Sequence, residues 1–177
     1  MADPAARRLW QHCRRIADAV ALPDPFDAAV FVAGLGAARG RPVELLPLRG
    51  RHDLPCGLLV TTERADYIAY SADTAPLHRQ HILLHEAAHL LCGHRAAGGA
   101  DLAAASTLLP HLDPTLVRRV LGRTVYTDPQ EREAELVASL ILTRVTRRAR
   151  RRGQTPTGEL RSIFEPGSPP ETPGAPA

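Results

Sequence analysis

Apolar residues in the first forty positions recur at the spacing of an α-helix. In residues 5–22 they follow a period of three to four, and Pro23 ends the segment. Residues 26–39 are rich in Ala and Val, and Gly40 stands where a helix commonly stops. The pattern therefore predicts two helices before the first strand.

The next block contains short apolar runs, which favour strands. Residues 42–48 form one such run, and residues 57–62 and 66–70 form two more on either side of a three-residue turn, 63–65. The last two runs predict a hairpin. We expect a small sheet of about three strands.

The remaining elements are mainly helical. Asp73 and Thr74 can cap a helix that carries Pro76 in its first turn and stops at Gly93. A further helix is predicted to start at Asp128, where residues spaced for one face are apolar. The Ala- and Leu-rich pieces at 101–109 and 114–121 are interpreted as extra helical segments.

Length and composition limit the architecture to one domain. The chain has 177 residues, of which 44% are hydrophobic, enough for a single core. We expect an α+β fold with a single domain at 1–152, in which the small sheet packs on a helical bundle. From 153 to 177 the chain is rich in Pro, Gly, Ser and Thr, which predicts a disordered tail.

Charge and cysteine content point to a cytoplasmic protein. All 22 basic residues are Arg, the net charge is only +3, and much of the excess lies in residues 144–152 near a predicted helix end. Such a run is typical of a solvated helix terminus, so direct nucleic-acid binding is not expected. Three widely spaced cysteines indicate no disulfide framework, and no segment has the length and apolarity of a membrane span.

The chemistry concentrates in the helix predicted before Gly93. His85, Glu86 and His89 form an H-E-x-x-H sequence. Residues four apart lie one above the other on a helix, so both imidazoles can bind one Zn²⁺ while Glu86 leans over the open position as a general base. The alternative is a core helix with surface histidines.

Other polar residues of this helix have less definite roles. His78 and His81 share the stripe of the pair and are interpreted as cleft lining more than ligands. His94 is expected to complement the helix dipole, and Cys92 is expected to lie in the core. The wheel predicts one packing face and one cleft face.

A catalytic zinc site needs a third protein ligand. The arrangement H-E-x-x-H-x-x-G-x-x-H fails, because glycine stands at 93 and position 95 is Arg. Glu131 and Glu135 share a face of the last helix, so one could bind metal while the other holds a ligand histidine, whereas Glu133 points elsewhere. Alternatively, Asp128 and Glu131 form a capping box that only starts the helix.

The segments HEAAHLLCGH and EREAELVASLIL together resemble the ImmA/IrrE group of bacterial zinc metallopeptidases. The resemblance covers residues 43–145 and implies that the domain at 1–152 is zincin-like. It implies that His85, His89 and Glu131 bind Zn²⁺, that Glu86 is the catalytic base, and that Glu135 occupies the family's Asn/Asp position beside the ligands. Where the family has Met-Pro this chain has Leu142-Thr143, so the helix is expected to continue into the Arg-rich segment.

The resemblance also implies a function. It indicates a zinc-dependent endopeptidase acting on a protein target, a helix-turn-helix repressor or antitoxin, in a toxin–antitoxin or mobile-element setting of actinobacterial type. The alternative is a metal-holding regulatory or toxin-like module that binds a protein without hydrolysing it. The strand at 67–70 could pair with an extended substrate, and Tyr126, His111 and Tyr70 are nominated as oxyanion stabilisers.

Overall fold

The computed structural model describes residues 3–50, 56–94, 117–121 and 126–153, with the strand at 117–121 described by its backbone. Packing divides the chain into two units, Met1–Val145 and Thr146–Ala177. The first unit contains the sheet and the whole site discussed below. The predicted piece at 101–109, His111 and the tail from 154 onward lie outside the described residues.

The described residues form four helices and four strands, which confirms the α+β class. In chain order these are α1 (Pro4–Ala19), α2 (Ala28–Arg39), β1 (Val43–Leu48), β2 (Gly57–Thr62), β3 (Asp66–Ser71), α3 (Pro76–Cys92), β4 (Val117–Leu121) and α4 (Asp128–Arg151). Within these ranges no helix is both long and apolar enough to cross a bilayer.

The sheet has one strand more than expected. Its order is β1-β3-β2-β4, with β3 parallel to β1 and antiparallel to β2, and with β4 antiparallel to β2. The predicted hairpin of β2 and β3 is confirmed. The helical interpretation of the piece at 114–121 is wrong for its described part, because Val117–Leu121 pairs with Leu59–Thr62 as a strand.

The position of β3 also overturns a predicted substrate contact. Residues 67–70 were expected to pair with an extended peptide, but both edges of β3 are already bonded to β1 and β2. The edges of this sheet are β1 and β4. Pro47 lies in β1, where an edge strand tolerates the missing N–H.

The helix α3 contributes to the core of the first unit. All of its residues from Ile82 to His89 are buried, so the predicted cleft face is mostly covered in this stretch. Leu84 is fully buried in the core with Ile68 of β3 and Ile141 of α4. Each such side chain contributes about 1.5–3 kcal/mol to folding.

The ends of α3 and α4 differ in part from the predicted caps. Asp73 does not cap α3, because its carboxylate accepts a hydrogen bond from the Gly50 backbone N–H at 2.6 Å. Gly93 does end α3, in the left-handed region at φ 67°. The helix α4 continues through the Leu142-Thr143 position to Arg151, as expected from the missing proline.

Arg144, the first residue of the Arg-rich segment 144–152, is not freely solvated. Its guanidinium donates to the carbonyl oxygens of Ala17 and Val20, and it lies 3.7 Å from the Asp18 carboxylate. Carbonyls at the end of α1 lack partners inside the helix, so a cation there is favourable. The basic segment therefore starts with a residue that fastens α1 to α4.

A buried carboxylate that the sequence did not reveal fixes the start of β3. Asp66 is 1% exposed and contacts Arg39 at 2.8 Å and Arg41 at 3.1 Å. Arg41 also donates to the carbonyl oxygens of Thr62, Glu63 and Ala65 in the hairpin turn. One arginine thus holds the hairpin to the end of α2.

Replacing Asp66 by Asn is expected to lower the free energy of unfolding by about 2–3 kcal/mol, because two arginines lose their buried counter-charge while keeping access to water. Denaturant unfolding measures the loss. Asp18→Asn is the control, since that carboxylate also pairs with arginine but is 56% exposed, and it should change little. Equal effects of the two substitutions would contradict this role for Asp66.

Candidate metal centre

Three predicted ligands converge in the core between α3 and α4. The Nε2 atoms of His85 and His89 are 3.2 Å apart, and the Glu131 carboxylate lies 3.3 Å from the first and 3.7 Å from the second. Ligand atoms of a tetrahedral ion with bonds of about 2.0–2.1 Å are about 3.3–3.4 Å apart. The three side chains are therefore spaced so that they could hold one metal ion.

The far side of the His85 ring is held by a carboxylate. Glu135 lies 3.4 Å from His85 Nδ1 and 3.1 Å from His81 Nε2. Burial raises the pKa of Glu135, but the two histidines lower it by more, so the group lies below its ordinary value. A charged Glu135 accepts the Nδ1 proton of His85 and leaves the Nε2 lone pair directed at the group.

The far side of the His89 ring is held by a contact that the sequence interpretation missed. His89 Nδ1 and His94 Nδ1 are 2.9 Å apart, and His94 Nε2 lies 3.2 Å from the Glu133 carboxylate. With a proton on Nε2, His94 donates to Glu133 and accepts the Nδ1 proton of His89. His94 therefore does more than complement the helix dipole, and Glu133 lies beside this chain of hydrogen bonds.

A local turn explains why His94 reaches back to His89. The backbone N–H of His94 donates to the His89 carbonyl at 3.0 Å, and the N–H of Gly93 donates to Leu90. This is the Schellman pattern, which brings the second residue after the helix over the helix's last turn. The spacing H-x-x-x-G-H was the signal in the sequence that could have predicted the contact.

These contacts decide what the pair of histidines can do. The Nε2 lone pairs of His85 and His89 and the Glu131 carboxylate face the same point. Without a cation between them, these three electron-rich groups would repel one another. Burial, with His85 and His94 close by, lowers the pKa of His89 to about 3, so the ring is neutral as a metal ligand must be. The donor set and its charge thus fit a divalent ion.

The start of α4 frees Glu131 from the capping role. The Gln130 side-chain oxygen accepts from the backbone N–H of Thr127 at 3.0 Å, and Thr127 accepts the first helical N–H, that of Glu131. The cap is therefore Thr127 with Gln130, one residue before the predicted Asp128 and Glu131. The Glu131 Oε1 atom is buried and, among the described residues, has no hydrogen-bond partner.

Tyr126 is the nominated oxyanion group that lies at the site. Its ring stacks on His89 with centroids 3.6 Å apart and planes at 13°. Burial, followed by the charges of Glu86 and Glu131, raises the pKa of the Tyr126 phenol, so its hydroxyl stays protonated. Tyr70 instead lines a different cavity beside Phe26 and Arg79.

Glu86 is buried on α3, and the first residue of β2 makes room for it. A Cβ atom at Gly57 would lie 2.5 Å from Glu86 Oε1 and 2.8 Å from Ile82 Cγ2. Glu86 is itself only 5% exposed. The strand backbone thus limits where the carboxylate can go.

Gly57→Ala is expected to destabilise the fold by about 1–3 kcal/mol, since the added methyl must displace Glu86 or Ile82. Thermal unfolding provides the measurement. Gly34→Ala is the matched control, because a Cβ at that helical position meets nothing within 4 Å, and it should gain up to about 1 kcal/mol. A Gly57→Ala protein as stable as the parent would show that Glu86 is not confined there.

A groove opens next to the predicted ligands. It has a volume of about 450 Å³. Six residues line it: His85, Glu131, Arg132, Glu135, Leu136 and Ser139. His78, which was predicted to line the cleft, is not among these lining residues; its Nδ1 atom lies 2.8 Å from the Thr74 hydroxyl near the start of α3. The groove gives a large ligand access to one side of the site.

Comparison with known proteins adds no further constraint. The chain matches no protein-family model, no curated protein and no solved structure.

Proposed function

We propose that the protein is a zinc-dependent endopeptidase of the ImmA/IrrE type. The observation that carries the proposal is the convergence of His85, His89 and Glu131, together with the buried carboxylate of Glu86, which follows His85 on α3. Two imidazoles and one carboxylate are the ligands of many catalytic zinc sites, and the fourth position is then left for water or substrate. A zinc ion held by these three residues would polarise a carbonyl and lower the pKa of a bound water to about 7.

The residues of the chain have separate tasks in this reaction. Glu86 takes a proton from water as the water oxygen bonds to the carbonyl carbon, and returns it to the amide nitrogen as the C–N bond breaks. Glu135 and His94 keep the ligand rings in the tautomer that binds metal. The Tyr126 hydroxyl, held protonated, is our candidate donor to the carbonyl oxygen.

A protein is the proposed substrate. The groove of about 450 Å³ beside Glu131 and Glu135 is open along one side of the ligands, which suits a peptide segment. By resemblance, the target is a helix-turn-helix repressor or antitoxin in the bacterial cytoplasm. The two edges of the sheet, β1 and β4, replace β3 as the strands that could bond to an extended substrate.

The second candidate is a metal-holding module that binds its protein partner without hydrolysis. The buried position of Glu86 speaks against it, since a purely structural ion needs no carboxylate kept beside it at the cost of desolvation. The experiment that separates the two compares the parent with Glu86→Gln. Products of the genes neighbouring its own are the substrates to test, with mass spectrometry to detect cleavage.

A further inference from the structure

We propose that the protein has a second transition-metal site, formed by Cys92, His94 and Glu133. One ligand atom from each of these residues lies within 4.8 Å of the others. The group is distinct from His85, His89 and Glu131, and the inference does not depend on peptidase activity.

The second group is assembled from distant parts of the chain. Cys92 ends α3, His94 follows the turn at Gly93, and Glu133 projects from α4. On a helix Glu133 lies about 200° round from Glu131, so the two carboxylates serve opposite sides of α4. Glu133 Oε2 is 3.2 Å from His94 Nε2, a spacing close to that of ligands on one tetrahedral ion.

A fourth ligand is available from α1. His12 Nε2 lies 3.0 Å from Glu133 Oε1, the oxygen that His94 does not contact. The His12 side chain is half exposed, which leaves it room to turn toward the ion. With His12 added, three helical segments would be joined by one ion, as in a closed structural site.

The ligand set selects the kind of metal. Thiolate and imidazole favour zinc and other borderline or soft ions, and they exclude magnesium and calcium, which need oxygen ligands. Without an ion, burial, together with Glu133 and Cys13, raises the pKa of Cys92 to about 12, so the thiol proton leaves when metal binds. Zinc, cadmium and cobalt(II) are the expected occupants.

The two sites cannot be filled independently. An imidazole bound to metal through Nε2 carries its proton on Nδ1. Because the Nδ1 atoms of His89 and His94 face each other at 2.9 Å, only one ring can keep a proton between them. The ion on His94 is therefore held more weakly once His89 has bound its own, and by reciprocity each ion weakens the other.

Cobalt(II) added to the metal-free full-length protein tests the proposal. Cobalt bound to a thiolate gives a sulfur-to-metal absorption band in the near ultraviolet, and the first site contains no sulfur. We expect this band in the parent protein, its loss in Cys92→Ser, and its retention in Cys56→Ser, which replaces an exposed cysteine that belongs to neither group of possible ligands.

A second variant keeps the test decisive if Cys92→Ser does not fold. Glu133→Gln preserves the side-chain shape and is expected to raise the cobalt concentration for half of the band by about tenfold or more. No band in the parent protein, a band that persists in folded Cys92→Ser, or an unchanged titration of Glu133→Gln would overturn the second site. None of these results depends on cleavage of any substrate.

Discussion

Glu86→Gln is expected to reduce cleavage by about 10²–10⁴-fold, the usual contribution of a general base, while leaving metal content unchanged. The amide has nearly the same shape as the carboxylate, so the packing against Gly57 is preserved. What disappears is the group that accepts a proton from the attacking water. The measurement pairs initial rates of cleavage with metal analysis of the same samples.

The outcome separates the candidate functions. Glu63→Gln is the control, because Glu63 is an exposed carboxylate in the hairpin turn and belongs to neither edge strand, and it should cleave like the parent. Cleavage at the parental rate by Glu86→Gln would remove the proposed mechanism. A parent protein that binds its partner without cutting it, and a variant that binds equally well, would favour the binding module.

Local patterns in the sequence predicted the elements that carry the site. The helical spacing of His85 and His89 and the glycine at 93 depend on neighbours within one or two turns, and α3 has both features. The hairpin of β2 and β3 is also local, with its turn fixed by residues 63–65. In such cases the residues that determine the structure are adjacent in the chain.

Contacts between residues far apart in the chain could not be predicted from the sequence in the same way. The strand at 117–121 pairs with β2 about sixty residues earlier, and its Arg-containing sequence does not alternate cleanly. The partners of Asp66, Arg39 and Arg41, come from the preceding helix and the loop after it. A buried charge is not distinguishable from a surface charge until its partners are known.

The alternative in which Glu131 only caps its own helix fails because of the residue at which α4 starts. A shift of one residue at the start of α4 moved the cap from Asp128 and Glu131 to Thr127 and Gln130. Helix ends are uncertain by a residue or two from sequence, yet each step turns a side chain by about 100°. The Glu131 carboxylate, which was considered as a possible cap, therefore lies on the face of α4 that contacts α3.

Glu131→Ala is expected to weaken zinc binding at the site of His85 and His89 by more than about 100-fold. Loss of a residue that only orients a metal ligand costs about 10–100-fold in affinity, so the effect of losing a ligand should be larger. The buried Oε1 atom of Glu131 has no hydrogen-bond partner among the described residues, so the carboxylate contributes to the group of donors and not to the helix start. Zinc titration with a competing chelator measures the change. The titrations are done with protein that also carries Cys92→Ser, so that the proposed second site does not contribute to the measured zinc binding.

Gln130→Ala supplies the matched control one residue away. It removes the acceptor of the Thr127 backbone N–H and is expected to cost about 0.5–1 kcal/mol of stability with zinc affinity unchanged. Glu131→Ala should show the reverse: zinc affinity falls and the stability of the metal-free protein stays close to that of the parent. The substitution removes a carboxylate that faces two neutral imidazoles, and it leaves the helix cap intact. If Gln130→Ala lost zinc and Glu131→Ala retained it, Glu131 would not be the third ligand, and that ligand would have to come from another residue of the chain.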